Sequence, residues 1–357
     1  MKLLFTCGVE YKGNFYLAAQ ECNALFFYNP KTKQLKYLTA FEKEKGIYAL
    51  YRTTLLRGNE AWFIPERGEY IVCVNLDTME KTWFPLEGTI TWNDIKIISA
   101  KMFSDRYLYT VPYSMDTAMI IDIEDKKIEK VKKVSNENHS FIDAYFYEDN
   151  ICFVPREGKT YIQWNVQTDE VKEKNWSYSE LMVVNALVDS ECDTVWYTPG
   201  ESQKIVVENI KTEEKEYIPY NNSLKKVNQN IWKLHSYYGK QLGNKIFMLP
   251  FLGKNILAID RKTKDLTYYP VPEDKTILPF LRMVDSEQLC AVVEQYLVIY
   301  DEKQDEFVYN LLEIAPHDLY MQVKESGGDW NLIQSNRQFY ETNMLLEDFI
   351  DLVMEDT

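Results

Sequence analysis

The sequence lacks the signatures of the common catalytic and metal-binding proteins. It has 357 residues, and it contains no GxSxG, HExxH or P-loop pattern. It has only three histidines, His139, His235 and His317. A three-histidine metal site would need all of them together, and His317 lies in a C-terminal segment of different character. We therefore expect neither a metal site nor a cofactor.

Cysteine pairs and long apolar runs are also missing. The six cysteines include no CxxC pair, so neither a disulfide framework nor a zinc site is indicated, and most of them lie inside strand-like runs. We expect buried, reduced thiols. No apolar stretch reaches 18 residues, and the N-terminus lacks a signal-peptide layout. These features predict a cytoplasmic protein without a membrane span.

The sequence has fewer basic than acidic residues, with 40 Lys and Arg against 55 Asp and Glu. The formal net charge is −15 and the isoelectric point is about 4.9. Nucleic acids and anionic membranes attract proteins with a positive field, so we expect neither as a partner. Net charge chiefly reports solubility, so the acidic surface does not identify a partner.

What the sequence does have is a repeated tetrad in which an Asn or Asp closes an apolar run, usually with a Thr three residues later. It recurs seven times at spacings of 41 to 51 residues. The tetrads begin at Asn29, Asn75, Asp122, Asn165, Asn209, Asp260 and Asp301. An Asn or Asp side chain accepts the backbone N–H two residues later, so each tetrad predicts a turn. A period in the forties with strand-like content predicts a propeller or a solenoid.

Each repeat contains further strand signals around the turn. Ten residues before the tetrad, the five middle repeats have a proline that ends an apolar run. These are Pro65, Pro112, Pro155, Pro199 and Pro250. Proline cannot donate to a strand ladder, so we place it at a strand end. A second apolar run leads to the tetrad and a third follows it.

A fourth strand is predicted at the start of each repeat, where a polar residue interrupts an apolar stretch and a small residue mostly follows. The seven polar residues, which we call the polar column, are Thr6, Arg52, Ser99, Asp143, Asn185, His235 and Arg282. Four strands in each of seven repeats predict an all-β fold, a seven-bladed β-propeller whose first strands line a central channel. Each repeat runs from inner to outer strand, so closure is expected to rely on packing between the first and last blades, helped by the tail.

The repeats resemble the broad group of seven-bladed propellers with kelch, WD40 and similar repeats. The resemblance covers nearly the whole repeat region but rests on architecture. The kelch double glycine is missing, since the only Gly-Gly is Gly327-Gly328, and no Trp-Asp dipeptide ends a blade. No functional residues are therefore carried over from a named family. The resemblance implies scaffolding or binding at the channel mouth.

The chain is expected to divide into a propeller over residues 1–312 and a tail over 313–357. Ser335 and Gln338 form a capping box, and apolar residues from Phe339 to Val353 fall near one helical face. We predict an amphipathic helix over about 336–354, which either packs on the propeller or is presented to a partner. A strand over Leu319–Val323 is an alternative that would change the blade register.

The polar column is the first candidate site. If its members face the channel, Arg52, Ser99, Asn185 and Arg282 could bind a small anion or a sugar. His235 and Asp143 are the catalytic candidates, as an acid–base pair. The alternative is a water-filled channel lined by polar residues.

The second candidate is the face formed by the loops that join blades and the loops that follow the prolines. Tryptophans with polar neighbours suit a protein partner or a glycan. The ligand-binding candidates there are Trp92, His139, Arg156, Trp176 and Trp232. The alternative is that these tryptophans fill the gaps between blades.

Together these features predict a non-catalytic scaffold that engages a protein partner through its loop-rich face. The alternative is an enzyme or binding module that acts on a small anionic molecule or a glycan at the central channel.

Overall fold

The computed structural model describes residues 3–20, 22–44, 50–90, 95–134, 140–156, 158–178, 183–199, 202–221, 236–250, 253–272, 282–293 and 295–330. These residues fall into two compact units. One comprises Met1–Leu86 and Arg282–Thr357, which we call the terminal unit. The other is Glu87–Leu281, which we call the middle unit. No helix in the described ranges is long and apolar enough to cross a membrane.

The described residues of both units are mainly β-strands. In chain order, the terminal unit begins with β1 (Phe5–Tyr11), β2 (Asn14–Ala19), β3 (Ala24–Asn29), β4 (Gln34–Ala40), β5 (Tyr51–Arg57), β6 (Glu60–Pro65), β7 (Tyr70–Asn75) and β8 (Lys81–Pro85). The middle unit contains β9 (Ile97–Met102), β10 (Tyr107–Pro112), β11 (Thr117–Asp122), β12 (Lys127–Lys133), β13 (Phe141–Tyr147), β14 (Asn150–Pro155), β15 (Thr160–Asn165), β16 (Val171–Asn175), β17 (Val183–Asp189), β18 (Thr194–Pro199), β19 (Lys204–Asn209), β20 (Lys215–Pro219), β21 (Ser236–Leu242), β22 (Lys245–Pro250), β23 (Asn255–Asp260) and β24 (Leu266–Pro270). The terminal unit ends with β25 (Arg282–Asp285), β26 (Cys290–Val293), β27 (Tyr296–Asp301), β28 (Glu306–Leu311) and helix α1 (Pro316–Glu325).

The strands form antiparallel meanders of four, as the repeat predicts. The described residues give five separate four-stranded sheets and one eight-stranded sheet. The prediction of seven separate blades is therefore corrected to five. The strands predicted for the first and last blades are joined in the eight-stranded sheet, because β1 pairs in parallel with β25 at Gly8–Val284 and Val9–Asp285.

The tetrads make the predicted turns between the third and fourth strands of each meander. In all seven, the Asn or Asp oxygen accepts the backbone N–H groups two and three residues later, at 2.8–3.2 Å. The residue after each tetrad has a left-handed conformation, with φ between 51° and 66°. These residues are Lys33, Met79, Lys126, Asp169, Glu213, Lys264 and Asp305. The side-chain acceptor thus supports a turn that ends in a conformation unfavourable for residues other than glycine.

The five prolines lie where the sequence predicted them. Each is the last residue of the second strand in its meander, so none removes a hydrogen bond from the middle of a ladder.

The core consists of apolar layers between neighbouring sheets within each unit. In the terminal unit, Val9, Phe41 and Phe63 belong to one layer. In the middle unit, Phe141 and Trp164 belong to another, and both are fully buried. Side chains on the inner faces of twisted sheets interdigitate in this way because each sheet must cover its apolar face.

Helix α1 lies in the tail, where a strand was the alternative expected from the sequence. Its Leu319 and Val323 are fully buried and pack in one cluster with residues of β1–β4 and β25–β27. Gln322 also accepts the backbone N–H of Tyr37 at 2.8 Å. Closure was expected to rely on packing between the first and last blades. It instead includes backbone pairing of β1 with β25. The helix predicted over about 336–354 lies outside the described residues.

Candidate functional site

The polar column is not one structural position. The first strand of a meander carries a β-bulge in six cases, seen as a shift in its pairing with the second strand. Ser99, Asp143 and Asn185 follow the bulge, whereas Thr6 and Arg52 are the bulged residues themselves. A bulge adds one residue to a strand, so a column aligned on sequence alone mixes two positions.

In the sequence, His235 matches neither of these two positions. Its neighbour Ser236 pairs with Pro250, and Tyr238 is the residue that follows the bulge. The position equivalent to Asp143 is therefore Tyr238, three residues after His235. His235 itself lies outside the described residues, and so does the side chain of Arg282.

Asp143 is the centre of a hydrogen-bonded network in the middle unit. It is 2% exposed. Lys101 Nζ lies 2.8 Å from its Oδ1. Its Oδ2 accepts the side-chain amide of Asn185 and the backbone N–H of Ala186, both at 2.7 Å. The carboxylate is thus committed on both oxygens to groups of the neighbouring inner strands.

Asn185 extends the network by one strand. It is 6% exposed, and its Oδ1 accepts the backbone N–H of Gly239 at 3.0 Å. A Cβ added at Gly239 would lie only 3.1 Å from this oxygen, so the glycine permits the close approach of β21 to β17. Lys101 also donates to the carbonyl of Ala186 at 3.1 Å. The network therefore links the inner strands β9, β13, β17 and β21.

The carboxylate of Asp143 is buried, and both of its oxygens already accept hydrogen bonds from residues of the protein. The arrangement ties blades together more readily than it performs acid–base chemistry. Ser99 lies on the neighbouring inner strand, and its Oγ makes no hydrogen bond with another described residue.

In the terminal unit, Arg52 belongs to a buried ion pair. Its Nη1 lies 3.4 Å from Glu66 Oε2, and the two side chains are 8% and 6% exposed. Glu66 follows Pro65 at the end of β6, so the bulge on β5 and the loop after β6 meet at this pair. An anionic ligand of Arg52 would have to compete with this carboxylate.

The loops of the middle unit carry three residues that we call the loop patch: Ile90, Tyr113 and Arg156. Tyr113 is buried, at 8% exposed. Arg156 Nη1 donates to the Tyr113 hydroxyl, and its guanidinium lies 5.5 Å from the centre of the Tyr113 ring. Ile90 is 48% exposed and forms a β-bridge with Met115, two residues after Tyr113.

Hydrogen bonds hold the segments of the loop patch against neighbouring segments of the middle unit. Thr89 N–H donates to Asp116 Oδ1 at 2.9 Å, and Ser114 Oγ donates to the carbonyl of Ile95. Tyr113 N–H donates to the carbonyl of Lys96 at 2.9 Å. These bonds fix the loop after β10 against the segment that precedes β9.

Among the predicted tryptophans, Trp176 is described. It is 8% exposed and packs edge-to-face against Tyr161, Tyr178 and Tyr197, with ring centres 5.0–6.0 Å apart. This placement matches the alternative in which a tryptophan fills the space between sheets. Trp92, His139 and Trp232 lie outside the described residues.

Sequence reasoning missed Lys101, Tyr113 and Ile90. Lys101 had a signal, because a lysine inside the apolar first strand of a repeat needs a buried or channel-facing partner. Tyr113 directly follows the aligned proline Pro112, but nothing in the sequence pairs it with Arg156. Ile90 has no sequence signal that separates it from a core residue.

The described residues contain no group of three or more His, Cys, Asp or Glu side chains arranged to hold a metal ion. All six cysteines are free, and five of them are buried while Cys192 is exposed. Burial raises the pKa of Cys152 to about 12. Buried thiols of this kind are unreactive and serve as small apolar side chains.

Structural comparison identifies the fold. Virginiamycin B lyase from Staphylococcus aureus is similar, with a TM-score of 0.61 and 11% sequence identity over 88% of this chain and 98% of the lyase chain. The WD40 β-propeller domain of Doa1 has a TM-score of 0.61 and 12% identity over 85% of this chain and 95% of the domain chain. The RRP9 WD40 repeats have a TM-score of 0.59 and 9% identity over 84% of this chain and 88% of theirs.

The chain has a β-propeller fold with four-stranded blades and a short C-terminal helix. No protein-family model matches the sequence, and no curated protein matches it. At these identities the likeness establishes the fold and leaves function to the residues of the chain itself.

Proposed function

We propose that this protein is a non-catalytic binding scaffold that engages a protein partner through the loop patch, Ile90, Tyr113 and Arg156. The observation that carries the proposal is a hydrogen-bonded set of loops that presents Ile90, 48% exposed, and Arg156, whose guanidinium lies 5.5 Å from the ring centre of the buried Tyr113. Arginine is enriched among the residues that dominate binding energy at protein interfaces.

The rigidity of these loops favours binding. A surface whose backbone is already fixed loses little conformational entropy when a partner docks. The hydrogen bonds of Thr89, Tyr113 and Ser114 provide that order. Arg156 needs no large rearrangement either, because its guanidinium is already placed on the Tyr113 ring.

The similar structures do not choose between binding and catalysis, since they include a lyase as well as WD40 domains. The contacts made by the candidate residues Asp143 and Arg52 favour binding over catalysis. The catalytic candidate Asp143 is engaged by Lys101, Asn185 and Ala186, and the anion-binding candidate Arg52 is paired with Glu66. For this reason we place the channel-site alternative second.

The test compares co-purification from native cells by the wild-type chain with that by the substitutions Ile90→Asp and Arg156→Ala. Val131→Asp is the matched control, because Val131 is also an exposed aliphatic residue, 39% exposed, on β12. We expect at least one protein that the wild type and the control recover and that both patch variants lose. Removing an interface anchor typically costs 2 kcal/mol or more, about a thirtyfold loss of affinity.

Unfolding curves of all four proteins establish that each is folded. If the patch variants recover the same proteins as the control, the loop patch is not the binding surface. If the wild type recovers no protein specifically, the scaffold proposal itself is overturned.

A further inference from the structure

A cavity in the terminal unit offers a second kind of site, which we call the hairpin cleft. It has a volume of about 510 Å³ and is lined by the turns between β1 and β2, β5 and β6, and β25 and β26. These turns lie at the opposite end of β5 from Arg52, since Arg57 ends the strand and Arg52 is near its start. Small-molecule sites typically measure about 300–1,000 Å³, so the cleft is large enough for one.

The lining residues carry both signs of charge. The turn after β25 contributes Asp285 and Glu287, the turn after β5 contributes Arg57, and the turn after β1 contributes Glu10 and Lys12. A cleft that contains both a guanidinium and carboxylates can complement a ligand with charges of both signs, which a purely acidic or basic site would not.

Internal hydrogen bonds hold the walls in place. Asp285 Oδ2 accepts the backbone N–H of Leu56 at 2.6 Å, which fixes the turn after β25 against the end of β5. Ser286 Oγ donates to the carbonyl of Gln288 at 2.6 Å and shapes the same turn. Lys12 Nζ lies 2.9 Å from Asp77, outside the cleft lining. The cleft is therefore formed without a ligand, as most small-molecule sites are.

Two charged groups are available for a ligand. Arg57 is exposed, and its Nη1 donates to the carbonyl of Leu56 at 2.8 Å. A guanidinium has five N–H donors, so this bond leaves donors for a two-point contact with a carboxylate. Glu287 is exposed and makes no ion pair or hydrogen bond with another described residue. Its carboxylate can accept from an ammonium group.

We propose that the hairpin cleft binds a small zwitterion that carries a carboxylate and an ammonium group, of the class of free amino acids and dipeptides. Arg57 holds the carboxylate, and Glu287 holds the ammonium group. This site lies in the terminal unit and the loop patch lies in the middle unit, so the inference does not rest on the proposed function.

The experiment is isothermal titration calorimetry of the full chain with free L-amino acids and glycylglycine as zwitterionic probes. Butylamine and butyrate serve as probes with one charge each. We expect at least one zwitterion to bind about tenfold or more tightly than either single-charge probe, because each lost charged contact costs about 1.4 kcal/mol or more.

Substitutions then assign the two groups. Arg57→Ala and Glu287→Gln should each weaken the zwitterion about tenfold or more. The matched controls Lys31→Ala and Glu302→Gln change exposed charges in turns of the same unit that do not line the cleft, and they should leave binding unchanged.

The inference is overturned if no zwitterion binds at up to about 10 mM, a concentration that would detect a binding energy of roughly 3 kcal/mol. It is also overturned if butylamine or butyrate binds as tightly as the zwitterions. Equal weakening by the cleft and control variants, or no weakening by either cleft variant, would likewise contradict it.

Discussion

The two units connect their inner strands by different means. In the terminal unit two inner strands pair through their backbones, β1 with β25 at Gly8 and Val9. Side chains add to this pairing, since Thr54 Oγ1 donates to the carbonyl of Gly8 and Asp285 Oδ2 accepts the N–H of Leu56. In the middle unit side chains span the distance. Asp143 accepts the N–H of Ala186, and Asn185 accepts that of Gly239.

The difference explains why polar residues recur on the first strands of the repeats. Gly8 pairs with Leu17 of β2 as well as with Val284 of β25, and a Cβ at Gly8 would meet Tyr16 and Leu17 of β2. Where inner strands do not pair, the backbone N–H groups still need acceptors, because an unsatisfied buried donor costs about 1–3 kcal/mol. Asp143 and Asn185 supply those acceptors. We therefore assign these two polar side chains a structural role.

The largest expected effect comes from filling the space at Gly8. A Cβ there would lie 2.6 Å from the carbonyl oxygen of Tyr16 and 2.5 Å from Leu17 Cδ2. The substitution Gly8→Val should therefore lower the free energy of unfolding by about 3 kcal/mol or more, because the backbone oxygen cannot move aside without disrupting the strand pairing. Urea denaturation measures the change.

The control is Gly13→Asn, in an exposed turn where a Cβ would meet nothing within 4 Å. Asparagine tolerates the left-handed conformation of Gly13, whose φ is +72°, so this variant should unfold close to the wild type. Wild-type stability of Gly8→Val would mean that the close packing of β1 on β2 at Gly8 is not required.

Asp143→Ala tests the side-chain connection of the middle unit. It leaves the Asn185 amide and the Ala186 N–H without their acceptor, whereas Lys101, 31% exposed, can turn to water. We expect a loss of about 2–3 kcal/mol in the free energy of unfolding. Asp105→Asn changes an exposed aspartate of the same unit and should change stability by less than about 0.5 kcal/mol.

An enzymatic role would give the opposite pattern for Asp143. If the variant kept wild-type stability but lost a measurable activity, the network would be an active site and the structural interpretation would be wrong.

Much of the fold could be predicted because its signals are local. An Asn or Asp side chain forms its turn with residues two and three positions away, so all seven turns could be read from the tetrads. The position of Pro112 at a strand end is equally local, since it follows from the missing N–H of proline.

The candidate site could be predicted only in part, because it depends on register and on contacts between repeats. A bulge shifts the inner strand by one residue, and nothing in the local sequence distinguishes Arg52 at the bulge from Asp143 after it.

Helix α1 was also missed. Its start lacks a side-chain cap, and it is supported by the burial of Leu319 and Val323 against distant strands.

The smallest expected effect is a change in the pH dependence of stability, caused by the partly buried Glu208 of the middle unit. Burial raises the pKa of Glu208 above its ordinary value of 4.5, because the surroundings on β19 disfavour its anion. The unfolded chain therefore loses this proton at a lower pH than the folded chain does. Stability falls as the pH rises from the unfolded pKa to the raised folded pKa, and it does not change further above that value.

Glu208→Gln removes this titration. The free energy of unfolding of the variant relative to the wild type should rise slightly as the pH increases above the ordinary carboxyl pKa, since the group is only partly buried. Glu216→Gln makes the same substitution at an exposed position on the neighbouring strand β20 and serves as the control. If Glu208→Gln and the wild type run parallel across this range, the carboxylate is well solvated. Glu208 would then differ from Asp143, whose buried carboxylate lies beside Lys101 and accepts the backbone N–H of Ala186.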